Sequence, residues 1–112
     1  MINSRNKGNN YERKIMNELR PFFPDVKTAR NESKTLDDSK VDLAFTGCFN
    51  IQCKAVESMS VNQILEVLKS MPNDDNLNVM MYKKNRKKEL VMMYKDDFYE
   101  ILEMLKKDEN NL

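Results

Sequence analysis

Val41-Asp42-Leu43-Ala44-Phe45-Thr46-Gly47-Cys48-Phe49-Asn50-Ile51-Gln52-Cys53-Lys54 is the stretch on which the fold turns. Apolar residues alternate at Val41, Leu43 and Phe45, and again at Phe49, Ile51 and Cys53, which is the two-residue period of strands. Thr46-Gly47-Cys48 is short enough to join the two as a hairpin. Pairing Phe45 with Phe49 puts Asp42 opposite Gln52. The odd residues of both strands then share an apolar face, and Asp42, Gln52 and Lys54 share the other. Directly opposed residues have Cβ atoms about 4.5–5.5 Å apart. A carboxylate, an amide oxygen and an ammonium are therefore expected on one patch, a group suited to a hard cation beside a phosphate. The main-chain carbonyl of Cys53, between two inward side chains, is a further candidate ligand.

Working outward, Tyr11, Ile15 and Leu19 recur at helical spacing from Asn10 to about Arg20, and Pro21 ends that helix. Asp25 to Arg30 reads as a short strand leading into a polar loop, Asn31 to Ser39. After the hairpin, Ser60 caps a helix with the stripe Val61, Ile64, Leu65, Leu68 and Met71. Pro72-Asn73-Asp74-Asp75-Asn76 breaks the chain. Leu77–Tyr82 and Glu89–Tyr94 form a second hairpin, with Tyr82 and Tyr94 expected as a cross-strand pair. Asp96 or Asp97 opens a last helix carrying Phe98, Ile101, Leu102 and Leu105. The expected order is α-β-β-β-α-β-β-α, an α/β fold with a mixed central sheet of about five strands flanked by helices. The second hairpin is apolar on both faces, which predicts strands covered by helices. The methionines Met80-Met81 and Met92-Met93 read as core filling, and Asp37-Asp38 and Asp74-Asp75 as solvated loop residues.

A chain of 112 residues, 40% hydrophobic and 33% charged, suits one domain with one modest core. That domain is expected to span 1–112, with 1–8 and 107–112 frayed. No apolar run approaches the roughly 18 residues of a membrane span, and the polar, basic start predicts no secretory signal. Cys48 and Cys53 are too few for a disulfide framework and read as ordinary thiols. Histidine is absent, which excludes Ser-His-Asp and Cys-His chemistry and histidine-bound zinc. With only Gly8 and Gly47, no glycine-rich phosphate loop exists. Any catalysis by this chain is expected to rest on carboxylates, amides, lysines and a hard cation.

The net charge of +1 conceals two basic zones. One is Arg5-Asn6-Lys7-Gly8-Asn9-Asn10-Tyr11-Glu12-Arg13, and the other is Lys83-Lys84-Asn85-Arg86-Lys87-Lys88. The second is either a solvated hairpin tip whose charge blocks edge pairing or a contact to phosphates. Glu12 sits at the margin of the first helix's apolar stripe, from which a carboxylate can point toward the sheet.

Glu12 on an opening helix, Val41-Asp42-Leu43 on a strand and Gln52-Cys53-Lys54 on the next together resemble the PD-(D/E)xK nuclease superfamily. The pattern is most similar to the small Holliday junction resolvases of archaea and their viral relatives. The basic, glycine-containing segment Arg5 to Arg13, the serine-bearing loop with Ser33 and Ser39, and the helix after Lys54 fit that pattern. The resemblance covers about Arg5 to Tyr94. Val41 replaces the motif proline, and Gln52 replaces the second carboxylate, a glutamine-x-lysine variant that looks like the pattern of virus-type replication-repair nucleases. An amide oxygen can still coordinate Mg²⁺ but brings no charge, so weaker metal binding is expected.

The resemblance implies a restriction-endonuclease-like fold and Mg²⁺- or Mn²⁺-assisted phosphodiester hydrolysis, with Glu12, Asp42, Gln52 and Lys54 as catalytic residues. Asp42, Gln52, Glu12 and the Cys53 carbonyl would hold the metal, and Lys54 would orient water or stabilise transition-state charge. Arg5, Lys7, Arg13, Arg30 and Ser33 are the expected contacts to branched or nicked DNA, positioning it without reading sequence. Paired cuts in a four-way junction imply a homodimer with its interface in Leu77–Leu105. A cytoplasmic protein of a prokaryote, or of a virus in its host cell, is the expected setting. The alternatives are a flap- or nick-directed repair nuclease using the same site, and a non-catalytic DNA-binding module with a degenerate site.

Overall fold

The computed structural model describes residues 4–32 and 40–110. Its centre is strand β3 (Phe49–Ala55), the longest run of alternating residues in the sequence-predicted hairpin. Around it lie β1 (Lys27–Thr28) and β2 (Leu43–Ala44) on one side, and β4 (Leu77–Lys83) and β5 (Leu90–Met92) on the other. The five-stranded sheet runs β1-β2-β3-β4-β5. All its ladders are antiparallel except β3 with β4, which is parallel from Phe49 opposite Leu77 to Ala55 opposite Lys83.

A parallel pair needs a crossover, supplied by helix α3 (Val61–Ser70). Ser60 starts it with a reciprocal cap: its hydroxyl accepts from the Gln63 N–H at 3.2 Å, and Gln63 Oε1 accepts from the Ser60 N–H at 2.7 Å. Helix α3 packs Leu68, with Met71 just beyond it, on Met80 and Tyr82, covering one face of the sheet. Helix α1 (Ser4–Leu19) covers the other, with Tyr11 and Ile15 buried against Val26, Leu43, Ile51 and Cys53. Both faces of β3 are therefore occupied, and Asn50 through Cys53 are all buried.

The break after α3 does structural work that the sequence reading missed. Buried Asn50 donates to Asp74 Oδ1 at 3.1 Å and Asn78 Oδ1 at 2.9 Å, and accepts from Asn76 Nδ2 at 3.3 Å. Asn78 Nδ2 in turn donates to the Pro72 carbonyl at 2.8 Å. Asp74 is thus not merely solvated. It satisfies a polar side chain in the interior, where an orphaned amide is costly. Asp37-Asp38 lies outside the described residues.

Other elements differ from expectation for identifiable reasons. Helix α1 starts at Ser4 rather than Asn10, because its first turns are polar and leave no periodic trace. Strand β1 stops at Thr28, and Ala29–Glu32 forms a single helical turn, α2. Phe45 does not share the apolar face. It has φ of 62° and is 54% exposed, because the turn begins there. Thr46 Oγ1 donates to the Phe49 carbonyl at 2.7 Å, and Gly47 at φ 63° lies so close to the Phe23 ring that a Cβ would come within 2.9 Å of it.

The largest departure is at the C-terminal end. Strand β4 is buried, but β5 leaves Leu90 and Val91 exposed, and helix α4 (Lys95–Asn110) leaves Phe98, Tyr99, Leu102, Met104 and Leu105 in solvent. Cavities of about 230 Å³ and 490 Å³ lie along this region, lined by Met93 with Ile101 and with Phe98 respectively. The expected burial of both strands by helices therefore holds for β4 and fails for β5. Tyr82 faces Leu90 rather than Tyr94, since β5 ends at Met92. The positions expected to fray, where described, are helical at 4–8 and 107–110. No helix among the described residues is long and apolar enough to cross a membrane.

Candidate metal and phosphate site

Asp42 lies immediately before β2, and its three polar groups hold three parts of the chain. Its N–H donates to the Ile51 carbonyl at 2.8 Å, its carbonyl accepts from the Ala29 N–H at 2.8 Å, and its Oδ2 accepts from the Cys53 N–H at 2.7 Å. The ladder has Leu43 opposite Ile51, so Asp42 also addressing Ile51 is a bulge-like irregularity that stops the pairing. The Cys53 N–H, left without a β2 main-chain partner, takes the carboxylate instead. A strand's N–H groups lie in the plane of its sheet. The Asp42 carboxylate thus occupies the gap at the end of β2, between the two faces. In an extended strand a residue's N–H and carbonyl point the same way, which puts the Cys53 carbonyl on this same edge.

Glu12 approaches from the α1 face. Its side chain is only 15% exposed and is bound by Arg30 of α2, with Nη2 to Oε2 at 3.2 Å. The buried Cys53 thiol is held well above its ordinary range, chiefly by burial, then by the charges of Asp42 and Glu12. Both carboxylates thus act on one thiol, and Glu12, Asp42 and Cys53 are brought together.

Gln52 and Lys54 stand on the opposite side of β3. Their register partners are Met80 and Tyr82, beneath α3, whereas Ile51 and Cys53 pack under α1. The expected single patch is therefore divided by the strand, with Asp42 in the gap between its halves. Gln52 is 6% exposed, and its Oε1 is buried without a hydrogen-bond partner. Lys54 is half-buried.

A buried amide oxygen lacking a donor is open to a water or a cation. Among the described residues no three His, Cys, Asp or Glu side chains are grouped to hold a metal. The donors that share the Asp42 edge are therefore Asp42, the Cys53 carbonyl and Glu12, the last already shared with Arg30, while Gln52 Oε1 stands across the strand from Glu12. Two formal negative charges offset by a guanidinium suit weak binding of Mg²⁺ or Mn²⁺.

The expected phosphate contacts are distributed differently. Lys7 is bound to Glu57 at 3.3 Å, and Arg30 to Glu12, while Arg13 is exposed. Ser33 lies outside the described residues, and of Arg5 only its place on α1 is described. In the basic tip, residues 84–88 are exposed and Arg86 adopts φ of 62°. The Arg30–Glu12 pair escaped the sequence reading because nothing in the order of residues brings α2 against α1. Gln52 was visible as a polar residue alternating on a strand, whereas the buried Asn50 was not singled out. Comparisons with family models, with curated proteins and with solved structures give no match.

Proposed function

We propose that this chain is a metal-dependent, structure-specific DNA endonuclease of the PD-(D/E)xK type, working as a Holliday junction resolvase inside the cell. The observation that carries this reading is the Asp42 carboxylate fixed to the Cys53 N–H at 2.7 Å, with the unpartnered Gln52 Oε1 on the adjacent residue. When bound, the cation supplies charge at the phosphoryl oxygen and acidity to a water. Asp42 and the Cys53 carbonyl would hold it, and Gln52 would contribute a neutral oxygen if its side chain reached around the end of β2. Glu12, steadied by Arg30, adds the second charge. Lys54, on the Gln52 side, offsets negative charge building on the phosphate. Arg13 is exposed on the same helix as Glu12 and would be open to a phosphate, and Lys7, on that helix too, would exchange Glu57 for one. The exposed apolar surface of β5 and α4 supports a homodimer, which paired cuts require.

One observation favours a second reading. Arg30 already neutralises Glu12, and Gln52 stands where a charged ligand is usual, as a binding module with a degenerate nuclease site would have it. Incubating one preparation with four-way, flap, nicked and linear DNA, with Mg²⁺ or Mn²⁺ and with chelator, tests both. The resolvase reading expects metal-dependent paired nicks in the four-way junction. Tight junction binding with no cleavage in either metal would establish the binding module, and cutting confined to flaps or nicks the repair nuclease.

A further inference from the structure

A crevice of about 370 Å³ opens where β3 and β4 end, at Ala55 and Lys83, under the flank of α1. Carboxyl ends of parallel strands are where sheets of this kind commonly hold ligands. Its polar lining is Lys7, Lys14 and Lys83, the amides of Asn6, Asn10 and Asn85, and Tyr11, and no carboxylate lines it. Every charged group in the lining is a cation, and none of these side chains can carry a negative charge at neutral pH.

Two of the lysines are restrained by acids outside the lining, Lys7 by Glu57 and Lys14 by Glu89. The Lys14 contact holds the Glu89 carboxyl below its ordinary range. Lys83 makes no ion pair among the described residues. Tyr11 supplies the independent observation. It is 3% exposed, and its hydroxyl lies beside the Glu89 carboxylate without a well-aligned hydrogen bond to it, that carboxylate being held chiefly by Lys14. A buried donor whose acceptor is shared, beside three ammonium groups with Glu89 and Glu57 to offset them, suits a ligand rich in acceptors and negatively charged. The space equals about a dozen water volumes, more than a bare tetrahedral anion fills.

We propose that this crevice binds a phosphate group carried on a larger molecule, with Lys83 as its free cation and the Tyr11 hydroxyl as its buried donor. The site is separate from the Asp42 carboxylate and does not depend on cleavage. The phosphate comes either from a nucleic-acid strand or from a free nucleotide-sized ester. Ala55 lies two residues beyond Cys53, about 6.6 Å along the strand, so a strand lying over Asp42 reaches the crevice without bending far.

The test uses the full chain without divalent cation, so that cleavage plays no part. It is titrated at fixed ionic strength with inorganic phosphate, with thymidine 5′-monophosphate, and with short oligothymidylates bearing a 5′-phosphate or a 5′-hydroxyl, and followed by amide chemical shifts. Saturable shifts at Tyr11, Ala55, Lys83 and Asn85 are expected. Lys83→Gln should weaken binding about tenfold and Tyr11→Phe about threefold, both with unchanged melting behaviour or, for Tyr11→Phe, a slightly raised midpoint. Glu89→Gln, which releases Lys14, should tighten it. Stronger binding of the 5′-phosphorylated oligomer assigns the site to a strand end, and equal binding of both oligomers to internal phosphates. Binding of the mononucleotide alone assigns it to a free ester. No saturable response to any of the four probes, or responses that Lys83→Gln and Tyr11→Phe leave unaltered, would overturn the proposal.

Discussion

Asp42 is both a candidate ligand and a structural tie, and two substitutions separate those roles. Asparagine keeps an oxygen able to accept from the Cys53 N–H but loses the charge. Asp42→Asn should therefore fold normally and lose metal-dependent cleavage by orders of magnitude. Alanine leaves that N–H without its acceptor, so Asp42→Ala should also lower stability by about 1–3 kcal/mol in urea unfolding. Cleavage by Asp42→Asn at the normal rate would remove this residue from the site. Gln52→Glu adds the missing charge, and calorimetric titration should find tighter Mg²⁺ binding than in the parent chain. Proton linkage provides a further check. Cys53 and Tyr11 are held above their ordinary values of 9.0 and 10.0, chiefly by burial, with Asp42 and Glu89 the next causes respectively. A raised folded value means that the folded chain binds these protons more tightly. Their contribution is complete below the ordinary values and is lost as pH rises toward the folded ones. Thermal midpoints should hold up to about pH 9 and fall beyond it, and Cys53→Ala should make the first part of that fall shallower. At this scale the sequence made the positions of Asp42, Gln52 and Lys54 along the strands readable. It did not make their division by β3 readable, because the bulge at Asp42 arises from a main-chain bond that side-chain alternation does not encode.

The elements follow their local signals wherever those signals are self-contained. The cap on α3 is one: Ser60 was expected to cap the helix and does so, with Gln63 supplying the other half of a reciprocal box. Ser60→Ala should cost about 1 kcal/mol of stability by denaturant titration, without altering the sheet. Strand β3 and its partners were legible because alternation over seven residues is hard to satisfy otherwise. The start of α1 was not, since Arg5 to Asn9 carry no apolar residue to set a phase. Nor could the stripe Phe98, Ile101, Leu102 and Leu105 declare what covers it. An amphipathic pattern records that a helix has an apolar side, and is silent on which molecule supplies the partner.

That question belongs to the whole molecule. The exposed side chains of α4 and β5 are too many and too close together to be scattered surface residues. Under the resolvase reading they meet their counterparts across a two-fold axis. Sedimentation at micromolar concentration should find a dimer, and Leu102→Lys, which changes a side chain 45% exposed in the monomer, should shift it to monomer without unfolding it. The same variant should nick single strands but lose paired cuts. A parent chain that sediments as a monomer would discard the resolvase and leave the metal chemistry to be judged separately.

The order of the ladders also sets a sequence of events in time. Asp42 meets Cys53 across 11 positions, whereas Asn50 meets Asn78 across 28, and only after α3 has formed the crossover. Closing the longer loop costs about 0.8 kcal/mol more chain entropy, and the antiparallel hairpin needs no helix to be in place. The strand edge bearing Asp42 is therefore favoured to organise early, against α1, while β4, β5 and α4 are still joining. Asp42→Ala should then slow refolding, and changes in β5 should mainly hasten unfolding. A chain emerging from the ribosome would have its candidate site in register before the apolar surface of α4 had been made.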